Sequence, residues 1–255
     1  MGVARIATAT VTVLLLMTSY TQQVQSLSAQ GPVVVPEFYS KILSPLAQTA
    51  ASYSAKGQMV PPFLNRHEYT DENDDNSNSE IDGATVATFA GGCFYGIELA
   101  FQREPGVVAV CVGYTQGDMD YPTYANVCSE ESGHTEACLV VFDPAIVTYA
   151  HLANLLFDRI PDPTMLNRVG RDRGTQYRTG MYAHSAEQLV QAQTAWDREN
   201  RSWMTSGRPV VTEVALAQAF WPAEEQLQRY LEKGGRFNRP QSTNKGETQE
   251  IRCYG

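Results

Sequence analysis

From residue 84 onward the hydrophobic positions switch repeatedly between periods of two and of three to four, and each switch marks an element. Ala84 to Ala90 is short, apolar and β-branched, the pattern of a buried strand. Phe94, Ile97, Ala100 and Phe101 then recur at helical spacing, with Glu98, Gln102 and Arg103 on the opposite face, until Pro105-Gly106 ends the helix. Val107 to Val112 is apolar throughout and predicts a central strand. A long polar loop follows, Gly113 to Ser132, of a length that in a compact domain usually serves a function. Glu136 to Phe142 predicts a strand stopped by Asp143-Pro144, and Thr148 to Arg159 a helix carrying Leu152, Leu155 and Leu156. A second irregular stretch, Pro161 to Thr175, leads to a strand over Gln176 to Ala183.

Ser185 with Gln188 three residues on predicts a capping box, opening a helix with Leu189, Ala192, Trp196 and Trp203 on one side. Pro209 to Leu216 predicts a strand, Ala223 to Lys233 a helix, and residues 234–255 a flexible, Gly-rich tail. The order β-α-β-β-α-β, then α-β-α, predicts an α+β fold: a two-layer sandwich whose first six elements form a ferredoxin-like core.

Residues 1–29 have a different texture: a weakly basic start at Arg5, an apolar run from Ile6 to Met17, then small and polar residues around Val24-Gln25-Ser26. This predicts a targeting peptide and places the mature protein on the secretory route, or in an organelle such as a plastid reached through it. Residues 30–83 are polar and acidic, and the run from Thr70 to Asp82 predicts a solvated linker; it lacks the glycine and closing glutamate of a calcium loop. Residues 84–255 form the folded domain. A formal charge of −9 argues against nucleic acid and anionic membranes as partners, and no segment approaches the span of a membrane helix. Five cysteines without C-x-x-C and four scattered histidines predict no structural metal, leaving a thiol role for one or two cysteines.

Chemistry centres on Gly91-Gly92-Cys93-Phe94-Tyr95-Gly96. The spacing places Cys93 at the first turn of a helix, where free N–H groups and the dipole favour a thiolate; the ordinary alternative is an inert buried cysteine. A cysteine nucleophile needs an acid, and Glu136 enters its strand directly from the first loop, although a solvent-facing glutamate reads equally well. Tyr124 and Tyr177 offer hydroxyls to a polarised oxygen or simply pack at a rim. Asp172, between Arg171 and Arg173, fits a loop ion pair.

Taken together, Gly92-Cys93-Phe94-Tyr95-Gly96, Pro122-Thr123-Tyr124, Val127-Cys128-Ser129, Gly133-His134-Thr135-Glu136-Ala137, Asp162-Pro163-Thr164, Gly174-Thr175-Gln176-Tyr177-Arg178, Pro222-Ala223-Glu224 and Ile251-Arg252-Cys253-Tyr254-Gly255 resemble, in collinear order, the A-type peptide methionine sulfoxide reductases. The resemblance implies an enzyme that reduces free and peptide-bound methionine S-sulfoxide. It makes Cys93 the nucleophile, Glu136 the acid, Tyr124 and Tyr177 the oxygen-binding hydroxyls, and Asp172 part of the polar wall. Phe94 and Tyr95 line the S-methyl pocket, and Cys253 resolves the Cys93 sulfenic acid. It implies a monomer with no bound cofactor, recycled by thioredoxin or a small dithiol. Four positions depart from the pattern: Tyr95 stands where tryptophan is usual, Pro161 and Leu227 where histidine is usual, and Glu247 where a second tail cysteine often lies. Cys111 and Cys138 read as packing residues, and Cys128 as a weaker alternative resolver. Two rival functions remain: a cysteine hydrolase or acyltransferase using His134 as base, and a binding domain with a degenerate site.

Overall fold

The structure, a computed structural model, describes residues 85–253; the expected targeting peptide and linker lie outside them. Six strands form one sheet, in the order β7-β6-β1-β3-β2-β8. These are β1 (Thr85–Gly91), β2 (Val107–Thr115), β3 (Thr135–Phe142), β6 (Thr179–Ala183), β7 (Glu213–Leu216) and β8 (Phe220–Pro222). Every neighbouring pair is antiparallel except β6 with β7. A two-stranded ribbon, β4 (Arg168–Val169) and β5 (Asp172–Arg173), lies in the second irregular stretch. With helices α1 (Phe94–Arg103), α2 (Tyr124–Cys128), α3 (Tyr149–Arg159) and α4 (Ala186–Met204), the chain is an α+β protein.

Strands β1 and β3 pair on both edges and are buried along their whole length. Their apolar runs therefore need no polar face. Helix α1 packs on β2 and β3, α3 on β1, and α4 on β6 and α3. Phe89 of β1 stacks on Phe101 of α1 at 5.1 Å and meets Tyr149 of α3 at 5.4 Å, tying both helices to the central strand. Among the described residues no helix is long and apolar enough to cross a membrane.

Several elements differ from expectation, some because side chains or distant backbone take the hydrogen bonds. The predicted helix over Ala223 to Lys233 is a series of turns. Gln228 Nε2 donates to the carbonyls of Val112 and Ala223, its Oε1 accepts from Val112 N–H, and Arg229 sits at φ 54°. The strand predicted from Pro209 begins at Glu213, since Val210 N–H is given to Asn200 Oδ1 and Val211 N–H to the Pro163 carbonyl. The predicted strand over Gln176 to Ala183 splits into a 3-10 turn, Thr175–Tyr177, and β6. Strand β2 runs three residues past Val112, and Gly113 has no room for a side chain: a Cβ would lie 2.3 Å from the Trp221 carbonyl oxygen. At α4 the Ser185 hydroxyl accepts from Gln188 N–H as expected, but Gln188 Oε1 accepts from His184 N–H.

Gly92 sets the turn from β1 into α1. Its φ is +79°, and a Cβ there would lie 2.6 Å from Val169 Cβ, so this glycine lets the β4–β5 ribbon close on the Cys93 turn. Gly92→Ala is expected to lower unfolding free energy by about 2–4 kcal/mol, from left-handed strain plus overpacking. Urea denaturation checks it; a loss below about 0.5 kcal/mol contradicts this account.

Candidate active site

Cys93 is the residue that caps α1, partly exposed, with no side-chain cap hydrogen bond. Glu136, on β3, is 1% exposed, and its Oε2 accepts from Phe94 N–H at 3.0 Å. One free N–H of the helix start is thereby given to the acid. Burial pushes the Glu136 pKa up to about 8, the Phe94 N–H opposes the rise, and Asp172 adds to it. Glu136 is therefore protonated at neutral pH.

Cys93 does not carry the thiolate expected from its helix position. Its pKa is well above the usual thiol value, first through burial and then through Glu136. Tyr95 N–H favours the thiolate, but Cys253 and Asp172 add to the rise. The helix start acts as foreseen, and desolvation outweighs it.

The two irregular loops converge here. Asp172 sits in β5, carried in by the contact of Val169 with Gly92, and its charge acts on Cys93, Glu136, Tyr177 and Cys253. Tyr177 ends the 3-10 turn; burial raises its pKa, with Glu136 and Cys93 next in effect. Tyr124 opens α2, where the Thr123 hydroxyl caps Asn126 N–H. Burial raises the Tyr124 pKa, as do a side-chain hydrogen bond with Cys128 and the charge of Glu136. Phe94 and Tyr95 are both buried, with ring centroids 5.0 Å apart, and Tyr95 stacks on Tyr230 at 4.1 Å. From the tail, Cys253 reaches the same helix: a Cβ on Gly96 would lie 2.9 Å from Cys253 Sγ. Burial raises the Cys253 pKa and the positive charge of Arg159 opposes the rise. All the expected site residues are thus drawn to the start of α1.

Three supporting residues had no role assigned from sequence. Glu224 accepts from Tyr124 N–H and from the Tyr114 hydroxyl, both at 2.8 Å, fixing α2. Arg178 donates to the carbonyls of Gln116, Gly133 and Thr175, joining the two loops. Glu98, on α1 and 1% exposed, accepts from Arg229 N–H and holds the segment carrying Tyr230. Glu224 and Arg178 stand inside the resembling motifs; their partners, all distant in sequence except Thr175, left no local signal.

His134 has both ring nitrogens occupied. Nδ1 accepts from Gly117 N–H at 3.1 Å, so Nε2 carries the proton and donates to the Met119 carbonyl at 2.8 Å. It staples the first loop. Cys111 and Cys138 are buried, with Sγ atoms 3.6 Å from the Val112 and Phe94 carbonyls, and Cys128 is exposed. All five cysteines are free. No group of metal-binding side chains occurs among the described residues.

A cysteine beside a buried, protonated acid, with a second thiol from the tail packed against the same helix, fits a thiol-dependent oxidoreductase. The family model for peptide methionine sulfoxide reductase matches residues 85–252. Peptide methionine sulfoxide reductase A3 of Arabidopsis thaliana is 46% identical over 183 residues, 72% of this chain and 88% of its own length. The A4, chloroplastic protein of Oryza sativa subsp. japonica is 43% identical over 68% of this chain and 64% of its own length. Among solved structures, methionine sulfoxide reductase A of Corynebacterium diphtheriae aligns with a TM-score of 0.57 at 32% identity, covering 60% of this chain and 76% of that one. The chain belongs to the peptide methionine sulfoxide reductase family.

Two carboxyls, Glu136 and Glu98, have their pKa raised from 4.5 to about 8, in both cases chiefly by burial. Infrared difference spectra are expected to show protonated carboxyl bands that persist at pH 7 and vanish through about pH 8. Glu136→Gln and Glu98→Gln should each remove one component. Because the folded pKa exceeds the unfolded one, the stability each contributes is full below about 4.5 and is lost as pH rises through about 8. Bands already lost at pH 6 contradict this assignment.

Proposed function

We propose that this chain reduces methionine S-sulfoxide, free and in proteins, to methionine, and so repairs oxidised proteins. The observation that carries the proposal is the pairing of Cys93 with an acid that holds its proton at neutral pH, with Cys253 lodged against the same helix. A sulfoxide sulfur becomes electrophilic when its oxygen is protonated or hydrogen-bonded. Tyr124 and Tyr177 hold that oxygen, Asp172 closes the polar wall, and Glu136 donates its proton. Phe94 and Tyr95 receive the S-methyl group.

Cys93 starts as a thiol, and that balances the protons. Glu136 gives its proton to the sulfoxide oxygen and takes up the one Cys93 loses on attacking sulfur. The oxygen passes to Cys93, giving a sulfenic acid and a methionine side chain at the sulfide level. Cys253 then attacks the sulfenic sulfur; the S–S bond forms, the S–O bond breaks, and water leaves with the Cys253 proton. A thioredoxin-like protein or a small dithiol reduces the disulfide by exchange.

The strand order β6-β1-β3-β2, antiparallel throughout, supports a ferredoxin-like unit at the centre of a two-layer domain spanning 84–255. The proposed active unit is one chain, since every site residue comes from it. A plastid location is supported by the name of the rice relative; the secretory route rests on residues 1–29 alone. Use of His134 as the base of a hydrolase is opposed by the engagement of both its ring nitrogens.

The deciding experiment is methionine release from each sulfoxide epimer with dithiothreitol. Release from the S epimer is expected, abolished by Cys93→Ser and reduced about 10²- to 10⁴-fold by Glu136→Gln. The wild-type rate should fall as pH rises through about 8, where Glu136 loses its proton. No release from either epimer overturns the proposal. Cys253→Ser is expected to release about one methionine per chain and then stall with thioredoxin; sustained cycling would transfer the resolving role to Cys128.

A further inference from the structure

We propose that Gln241 is the positioning residue for Cys253, an inference that rests on Cys253 being the resolving thiol. The tail from residue 238 to 253 has no regular secondary structure, so its backbone groups must find partners elsewhere. It finds them first at the far end of α1. Arg103 donates from Nε to the Ser242 carbonyl at 2.8 Å and from its terminal nitrogen to the Gln249 carbonyl at 2.5 Å. Gly246 N–H returns to the Arg103 carbonyl at 2.8 Å, and Lys245 Nζ donates to the Gln102 and Val107 carbonyls. These contacts turn the tail back along the helix but end four residues before the thiol.

Gln241 supplies the final hold. Its own N–H donates to the Leu231 carbonyl at 3.1 Å, and its side chain is enclosed, the residue being 3% exposed. Nε2 donates to the Arg252 carbonyl at 2.7 Å, while Oε1 accepts from Arg252 N–H at 2.9 Å. One amide thus binds both backbone groups of one residue, as a paired strand would, and fixes that residue's position and orientation. The next residue is Cys253, with its sulfur against Gly96, three positions from Cys93. Leu231 follows Arg229 and Tyr230, and Glu98 of α1 accepts the Arg229 N–H. The thiol is therefore referenced to α1 through a continuous path: Glu98, residues 229–231, Gln241, Arg252.

Holding two reactants at a set separation raises the rate of their reaction, and a displacement of about 1 Å can cost about a hundredfold. Loss of the clamp should leave methionine formation untouched and slow formation of the Cys93–Cys253 disulfide. Single turnovers with methionine S-sulfoxide and no reductant, quenched and assayed for methionine and for free thiols, separate the two steps. Gln241→Ala is expected to form methionine at the wild-type rate and the disulfide about 10- to 100-fold more slowly. Dithiothreitol-driven turnover, which reduces the sulfenic acid directly, should be unchanged.

Gln241→Glu keeps the shape but sets a carboxyl oxygen against the Arg252 carbonyl, and should slow the disulfide step as well. Wild-type disulfide formation in Gln241→Glu reduces Gln241 to packing and overturns the inference, even if Gln241→Ala is slow or unfolded. So does an equal slowing of methionine formation in Gln241→Glu. Cys253→Ser distinguishes the underlying assumption: if that variant still cycles with thioredoxin, Cys253 is not the resolver, whatever Gln241 does.

Discussion

The hydrogen bond from Phe94 N–H to Glu136 Oε2 joins the start of α1 to the middle strand β3, and the rest of the site depends on it. A helix start presents unpaired N–H groups, and a buried carboxyl needs a donor; each satisfies the other. The contact puts the acid close enough for its charge to act on Cys93. It also fixes the order of the parts. Strand β3 must leave the first loop at Thr135, so that loop, with Tyr124, has to close over the same point.

Burial then decides the proton inventory. Cys93, Glu136, Tyr124 and Tyr177 all hold their protons more tightly than they would in water, because ionising any of them in this enclosed site is costly. A site that rests in its protonated state suits a neutral, polar substrate that must gain a proton before its sulfur can be attacked. The same desolvation explains why helix position alone did not predict the state of Cys93. The dipole effect is worth about a kilocalorie per mole, and enclosure beside another acid outweighs it.

The loops depend on long-range polar contacts more than on local turn preferences. Arg178 gathers three carbonyls from two loops, His134 staples Gly117 to Met119, and Glu224 grips the start of α2. These explain where the sequence pattern misled. Residues 223–233 carry helical spacing, yet Gln228 spends its amide on Val112 and Ala223, and a left-handed Arg229 turns the chain. Local propensity lost to partners that include Val112, more than a hundred residues away. The central strands and α1, α3 and α4 were legible because their apolar periods are long and their ends are marked by Gly, Pro or Ser caps.

Sequence by itself determined the chemistry on offer: a cysteine at a strand-to-helix turn, a glutamate entering a strand from a polar loop, two tyrosines, an aspartate and a tail cysteine, in an order that resembles one enzyme family. Those identities are covalent facts, and spacing alone assigns most of them to an element. Only the tertiary structure decided that they meet, that Glu136 and Cys93 both keep their protons, and that His134 is committed to the loop. It also decided that the tail lies along α1 with Cys253 against Gly96, held through Gln241. The physical reason is that protonation and reach depend on burial and on partners distant in the chain, and neither is written in any local stretch of residues.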